Sequence, residues 1–210
     1  MYMFSRQAEL APGHYVDGME WAAKITEKVN QVTGMNISLW GNLFSPKVST
    51  LTWVCPTEHL TDLDDSMSKL FVDNTYLDLV QQGRDKVIAP PDDRLAQLVY
   101  GDIDPSHRPS YAAVVESTMA NGSFQRAIEV GVEIAQRVTA AGGLPTAFYI
   151  GTTGTYGGCV WVTTADTLSE LETAQQNVDT NPDFIKFLDT EAAPCYLSGS
   201  TTQILARRLI

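Results

Sequence analysis

Only three cysteines occur in 210 residues, and Cys55, Cys159 and Cys195 form no CxxC and no even set. A disulfide framework and a zinc ribbon both need more than that, so a reducing, cytoplasmic setting is expected. Basic residues are scarce too: 14 Lys and Arg stand against 25 Asp and Glu, a formal charge of −11. Phosphate backbones and anionic membranes are gripped by clustered cations, so neither nucleic acid nor a membrane is expected as a partner. Histidine is missing from the second half, because His14, His59 and His107 all precede residue 108. No apolar run approaches the roughly 18 residues that cross a bilayer. The opening Met-Tyr-Met-Phe-Ser-Arg lacks the basic and apolar regions of a secretion signal. The glycine-rich stretch from Gly151 to Gly158 carries no lysine and joins two strand-like runs, so it is not a phosphate loop.

What the chain does have is a repeat. Thr52-Trp53-Val54-Cys55-Pro56-Thr57-Glu58-His59-Leu60 reads as a strand with a central Trp that breaks and launches an acidic helix. Val160-Trp161-Val162-Thr163-Thr164-Ala165-Asp166-Thr167-Leu168 reads the same way, and the two Trp lie 108 residues apart. Around the first copy, period-2 and three-to-four-residue spacings predict a strand over 1–6, a helix over 16–32 and strands over 35–43 and 48–54, the last closed by Pro56. Helices over 60–72 and 74–82 follow, then a loop over 84–93 and a strand over 94–100. The second copy predicts a strand over 111–117, a helix over 124–140, and a hairpin of 146–151 with 159–162. Helices over 168–178 and 182–188 and a strand over 203–209 complete it. Trp21, Ile25, Val29 and Val32 form the apolar stripe of the first long helix, and Gly34 supplies its stop. The expected organisation is an N-terminal module over 1–100, a linker over 101–110 that includes Pro105, and a C-terminal module over 111–210.

A β-α-β-β-α-β half forms a four-stranded antiparallel sheet with both helices on one face. The other face, expected to carry the Trp and aliphatic side chains, would be a large bare apolar patch. Packing two such faces together removes it. The expected fold is therefore α+β: two tandem ferredoxin-like modules packed sheet to sheet as an intramolecular pseudo-dimeric α+β barrel.

In element order and repeat length the chain resembles the dimeric α+β barrel superfamily in its fused form. The turns Asp73-Asn74-Thr75-Tyr76 and Thr180-Asn181-Pro182-Asp183-Phe184 resemble those of its stress-responsive and NIPSNAP-like members. The superfamily holds cofactor-independent monooxygenases, haem enzymes, isomerases and proteins of no known chemistry, so the resemblance implies an architecture before an activity. It implies a pocket between a sheet and its own helices, with the loop before the first helix near the mouth. Fused haem-binding members place a histidine in the C-terminal module, which has none here, so no haem or other cofactor is expected. In the monooxygenases, Trp, Asn, Arg and Tyr side chains hold a polyaromatic substrate.

By that resemblance His14 is the candidate general base, and Arg6, Tyr15, Asn36 and Trp40 are the candidate substrate-binding residues. The bland readings are an exposed loop for His14 and core packing for the Trp side chains. Matched positions favour the N-terminal half: His14-Tyr15 against Ser123-Phe124, and Arg6 against Val115. The expectation is a small hydrophobic or aromatic ligand in the N-terminal module, with an oxygenase-like transformation as one outcome. The alternative is a non-catalytic structural or ligand-sensing protein. No metal site is expected, since no His or Cys pair has ligand spacing with a carboxylate. The cysteines nearest the two Trp read as packing residues. Association into homo-oligomers is left open.

Overall fold

The structure, a computed structural model, describes residues 1–102, 104 and 106–210; Ile103 and Pro105 of the expected linker lie outside the described residues. Among these, eight strands and six α-helices run in the order β-α-β-β-α-α-β, twice over, so the class is α+β. The chain divides into two compact units, Met1–Leu95 with Arg207–Ile210, and Ala96–Ala206. The compact units therefore do not coincide with the two sequence repeats. The divisions fall inside strands, after Leu95 and after Ala206.

In the first unit, β1 (Tyr2–Glu9) and β2 (Ser38–Leu43) flank β3 (Thr50–Thr57). β1 pairs with β3 along its whole length, Tyr2 opposite Thr57 and Glu9 opposite Thr50. β1 is longer than the sequence suggests because Gln7 and Glu9 read as a strand end. Ala8 between them is buried, so the alternation of a half-buried strand simply continues. Pro56 does not close β3, which runs on to Thr57. The pairing of β2 with β3 ends at Val54, so Pro56 lies where only one side of the strand is paired, a position that tolerates a missing N–H. The 207–210 segment runs beside β2, with Leu209 N–H donating to Leu39 O at 2.7 Å.

On one face of this sheet lie α1 (Tyr15–Thr33), α2 (Leu60–Phe71) and α3 (Asn74–Gln82). α1 buries Trp21, Ala22 and Ile25 and stops at Gly34, whose φ of 73° suits the residue without a Cβ. α3 begins where the Asp73 carboxylate accepts the Tyr76 N–H at 2.8 Å, an N-cap that the Lys28 ammonium also holds.

In the second unit, residues Ala96 to Tyr100 of β4 (Asp92–Tyr100) pair with β6 (Thr146–Gly151), opposite Gly151 to Phe148. β7 (Gly158–Ala165) lies between β6 and β5 (Tyr111–Thr118), and β8 (Thr202–Arg208) follows β5 in strand order. α4 (Phe124–Gly142), α5 (Leu168–Asp179) and α6 (Pro182–Phe187) cover one face. α5 opens on a capping box between Thr167 and Glu170. A π-turn, Leu188–Ala192, and a short 3-10 turn, Ala193–Cys195, extend α6; the first repeat has no such extension.

The expectation that the two Trp cover the helix-free faces of the sheets is corrected. Trp53 N–H donates to Thr26 Oγ1 of α1 at 2.8 Å, and its ring meets Trp21 edge-on at 6.0 Å. Trp161 N–H donates to the Gly131 carbonyl of α4 at 2.8 Å, and its ring stacks on Phe148 at 5.0 Å. Under the helices each buried indole N–H finds its acceptor, and an unpaired buried N–H is costly. Gly131 also lets α4 approach β6 closely: a Cβ there would sit 2.3 Å from the Phe148 ring.

Candidate functional site

Cross-strand partners in an antiparallel pair share a face, which fixes what each sheet shows its helices. In the second unit Val115 stands opposite Trp161, Ala113 opposite Thr163, and Ser117 opposite Cys159. All of these side chains except Cys159 form the floor of a cavity of about 520 Å³. Its roof is Ile134 and Val138 of α4 with Leu171, Ala174 and Val178 of α5. Phe184, Leu188 and Ala192 of α6 and the π-turn form one side wall. Exposed Asp179, Ser198 and Gln203 mark where the cavity meets solvent. The volume falls in the range of about 300–1,000 Å³ usual for small-molecule sites.

Polar atoms in this cavity are few and mutually bonded. Thr146 and Thr163 Oγ1 atoms lie 2.8 Å apart. Ser117 Oγ lies 2.9 Å from Thr201 Oγ1 and 3.2 Å from Ser200 Oγ. At the rim, Gln203 donates to Gln175 at 3.2 Å, and Gln175 donates to Asp179 at 2.8 Å. Tyr196 donates its hydroxyl to the Ala127 carbonyl, and burial holds its phenol far above the ordinary range. Trp161 has spent its N–H on Gly131, so it offers the cavity only ring surface. No Lys, Arg, His or Cys lines the cavity.

The candidate residues from the sequence are dispersed over the first unit, and none of them lines the cavity. Arg6 lies on the helix side of the sheet, opposite Trp53. It clamps Asp93 with two hydrogen bonds of 2.7 Å, and this pairing with Asp93 raises its pKa. Trp40 pairs with Thr52 and faces the other side, where its N–H donates to Ser38 Oγ at 2.8 Å and Arg208 lies 5.1 Å from its ring centroid. His14 precedes α1 at the surface, with Nδ1 3.1 Å from Asp17 Oδ2. Lys86 and then His14 hydrogen-bond the Asp17 carboxylate and hold its pKa down at about 2. Tyr15 is the first residue of α1 and half exposed; Asn36 is exposed ahead of β2.

Residue size explains the reversal between halves. At the positions equivalent to Ala113 and Val115, flanking the central Trp in the same register, the first unit has Phe4 and Arg6. Those side chains are larger than the pair that floors the cavity in the second unit. Polarity drew attention to Arg6, but its guanidinium is clamped to Asp93 through Nε and Nη2. The signal that would have found the cavity is small residues at floor positions next to the Trp that both repeats carry.

The cysteines are packing residues. Cys55, Cys159 and Cys195 are buried and free, and burial pushes the first two thiols up to about 11 and about 12. Thiolate is the reacting form, so native protein at pH 8 should resist iodoacetamide, and all three should react in denaturant. Rapid alkylation of Cys55 or Cys159 in folded protein would contradict this. Among the described residues no group of three His, Cys, Asp or Glu gathers as a metal site, and no helix is long and apolar enough to cross a membrane.

The second unit thus presents a cavity that is apolar in its body and edged with hydroxyls. No protein-family model and no curated protein matches the chain. Solved structures do match in fold. A "putative monooxygenase" of Fusobacterium nucleatum superposes with a TM-score of 0.71 at 6% identity, over 100% of this chain and 92% of that one. One of the same description from Lactobacillus acidophilus gives 0.64 at 8%, over 99% and 93%. An anthrone oxidase-like protein gives 0.68 at 8%, over 100% and 91%. At these identities the likeness is one of fold. It bears on the α+β fold of the sequence expectation and on nothing finer, neither the superfamily nor its NIPSNAP-like branch.

Proposed function

We propose that the protein binds a small, uncharged, largely apolar molecule in the cavity of its second unit. The observation that carries this reading is the cavity itself: about 520 Å³ walled by aliphatic and aromatic side chains, with hydroxyls and no cation. A buried apolar wall rewards an apolar ligand through surface removed from water, and the absence of a lining cation disfavours an anionic one. The fold neighbours described as monooxygenases and as anthrone oxidase-like favour a flat aromatic ketone or phenol as the class. The doubled element order supports reading the chain as two ferredoxin-like repeats, of which the second holds this cavity.

Binding is favoured over oxygenase-like turnover by the acid–base inventory. A proton-abstracting step needs a positioned base near neutrality. Tyr196 holds its proton tightly and gives it to a backbone carbonyl. Asp179 is exposed at the rim and accepts from Gln175.

Anthrone serves as the test ligand. At about 100 times its dissociation constant a ligand adds about 2.7 kcal/mol to stability, which for a chain of this size raises the melting midpoint by about 5–10 °C. Oxygen uptake should not exceed the rate of anthrone alone. An unchanged midpoint across flat aromatic ketones and phenols would remove the binding reading, and protein-dependent oxygen uptake would restore the catalytic one.

A further inference from the structure

Apart from Tyr196, bonded to the Ala127 carbonyl, and Ser198 at the mouth, the hydroxyls that line the cavity fall into two groups, one at each end of the floor, with Ser200 behind one of them. We infer, on the binding reading above, that the ligand is elongated and carries an uncharged oxygen at both ends. One group is Thr146 with Thr163, 2.8 Å apart. The other is Ser117 with Ser200 and Thr201. Ser117 stands opposite Cys159, so along β7 the groups lie four residues apart, roughly 13 Å at the usual strand rise. Between them the floor is Val115 and the face of Trp161.

Counting hydroxyl hydrogens shows what each end offers. Between Thr146 and Thr163 one hydrogen fills the contact and the second remains to be given to a ligand oxygen. At the other end Ser200 donates to the Leu197 carbonyl at 2.7 Å, which leaves the hydrogens of Ser117 and Thr201. The 2.9 Å contact between those two takes one. If Thr201 donates there, the Ser117 hydrogen has only the longer 3.2 Å contact to Ser200 as its use; if Ser117 donates, the Thr201 hydrogen is the one left over, so in either case turning it to a ligand costs little. Each end therefore supplies one donor and free lone pairs, with no charge at either. The remaining polar chain, Gln203–Gln175–Asp179, faces solvent at the rim with its amides bonded to one another. A molecule polar at one end only would leave the second hydroxyl group against hydrocarbon, and that mismatch is what selects for two oxygens.

Biphenyl, para-hydroxybiphenyl and para,para′-dihydroxybiphenyl make a graded probe set, all uncharged at pH 7. Each added hydroxyl should tighten binding by about 5–10-fold, the worth of one well-placed neutral hydrogen bond. The paired substitution Thr146→Val with Thr163→Val keeps shape and removes one end; Ser117→Ala with Thr201→Val removes the other. Either pair should weaken the dihydroxy probe by about 5–10-fold and leave biphenyl unchanged, with circular dichroism and melting midpoints confirming the fold. Equal affinity across the three wild-type complexes, or equal weakening of all three probes by the variants, overturns the two-ended reading while the cavity reading stands. Binding of none of the three overturns both.

Discussion

Replacing Trp53 with alanine should cost about 3–5 kcal/mol of folding free energy, the usual loss for a large core aromatic. The residue is 7% exposed and contacts α1 at two points. Its ring meets Trp21 of α1 at 78°, an edge-on aromatic pair that adds about 0.5–1.5 kcal/mol beyond burial. Its N–H donates to Thr26 Oγ1, and Thr26, fully buried, in turn donates to the Ala22 carbonyl at 2.6 Å. Alanine leaves a void beneath α1 that these neighbours cannot close without moving the helix. Trp53→Phe keeps most of the packing and loses the indole bond, so it should cost less than half as much. Urea denaturation followed by far-ultraviolet circular dichroism measures both, with the slope unchanged if the denatured state is unaltered. A cost below about 1 kcal/mol for Trp53→Ala, the scale of a surface change, would mean that this Trp does not hold α1 to the sheet.

Filling the cavity should abolish ligand binding without harming the fold. Val115 is the position of choice, because it sits on the floor opposite Trp161 and, like Thr163, is only partly buried where Ala113, Ser117 and Trp161 are buried. Val115→Trp puts an aromatic side chain, well suited to a strand, into the space a ligand would take. Affinity for anthrone should fall by at least about 100-fold, since overlap with the wall excludes the pose rather than weakening one contact. The melting midpoint of the free protein should stay level or rise, because the new ring buries apolar surface in space already present. Retained affinity would place the ligand elsewhere in the molecule. A collapsed midpoint would instead show that the cavity is smaller than its lining implies, and Val115→Phe, with less added volume, separates that case from loss of a true site.

Much of the architecture was legible because period and punctuation carry it. The stripe of Trp21, Ile25 and Val29 and the stop at Gly34 placed α1 to within one residue at each end. The helix starts at Asn74 and Pro182 follow from Asp73 and Asn181, whose carboxylate and amide oxygens cap the first turn. The continuation of β3 through Pro56 was hidden because proline is judged by itself, whereas its tolerance depends on where the neighbouring strand stops. The site was less legible. Polarity at matched positions pointed to Arg6, yet an arginine with an aspartate partner fills space and closes it. The floor of the cavity is written in what is small, Ala113 and Val115, and smallness becomes a signal only when the strand register shows which residues stand over the same Trp. The hydroxyl pairs were equally hidden, since Ser117 and Thr201 are 84 residues apart and meet only in the fold.

The division of the chain inside its strands bears on how the protein is made. The first unit includes Arg207–Ile210, whose backbone bonds to Leu39 complete the outer side of β2. A nascent chain that has released residues 1–95 from the ribosome therefore still lacks part of that unit. At about 5–20 residues per second, the intervening stretch takes on the order of ten seconds to synthesise. Through that interval the edge of β2 is an open template for any other strand, so crowded translation of this message is where chaperone demand should concentrate.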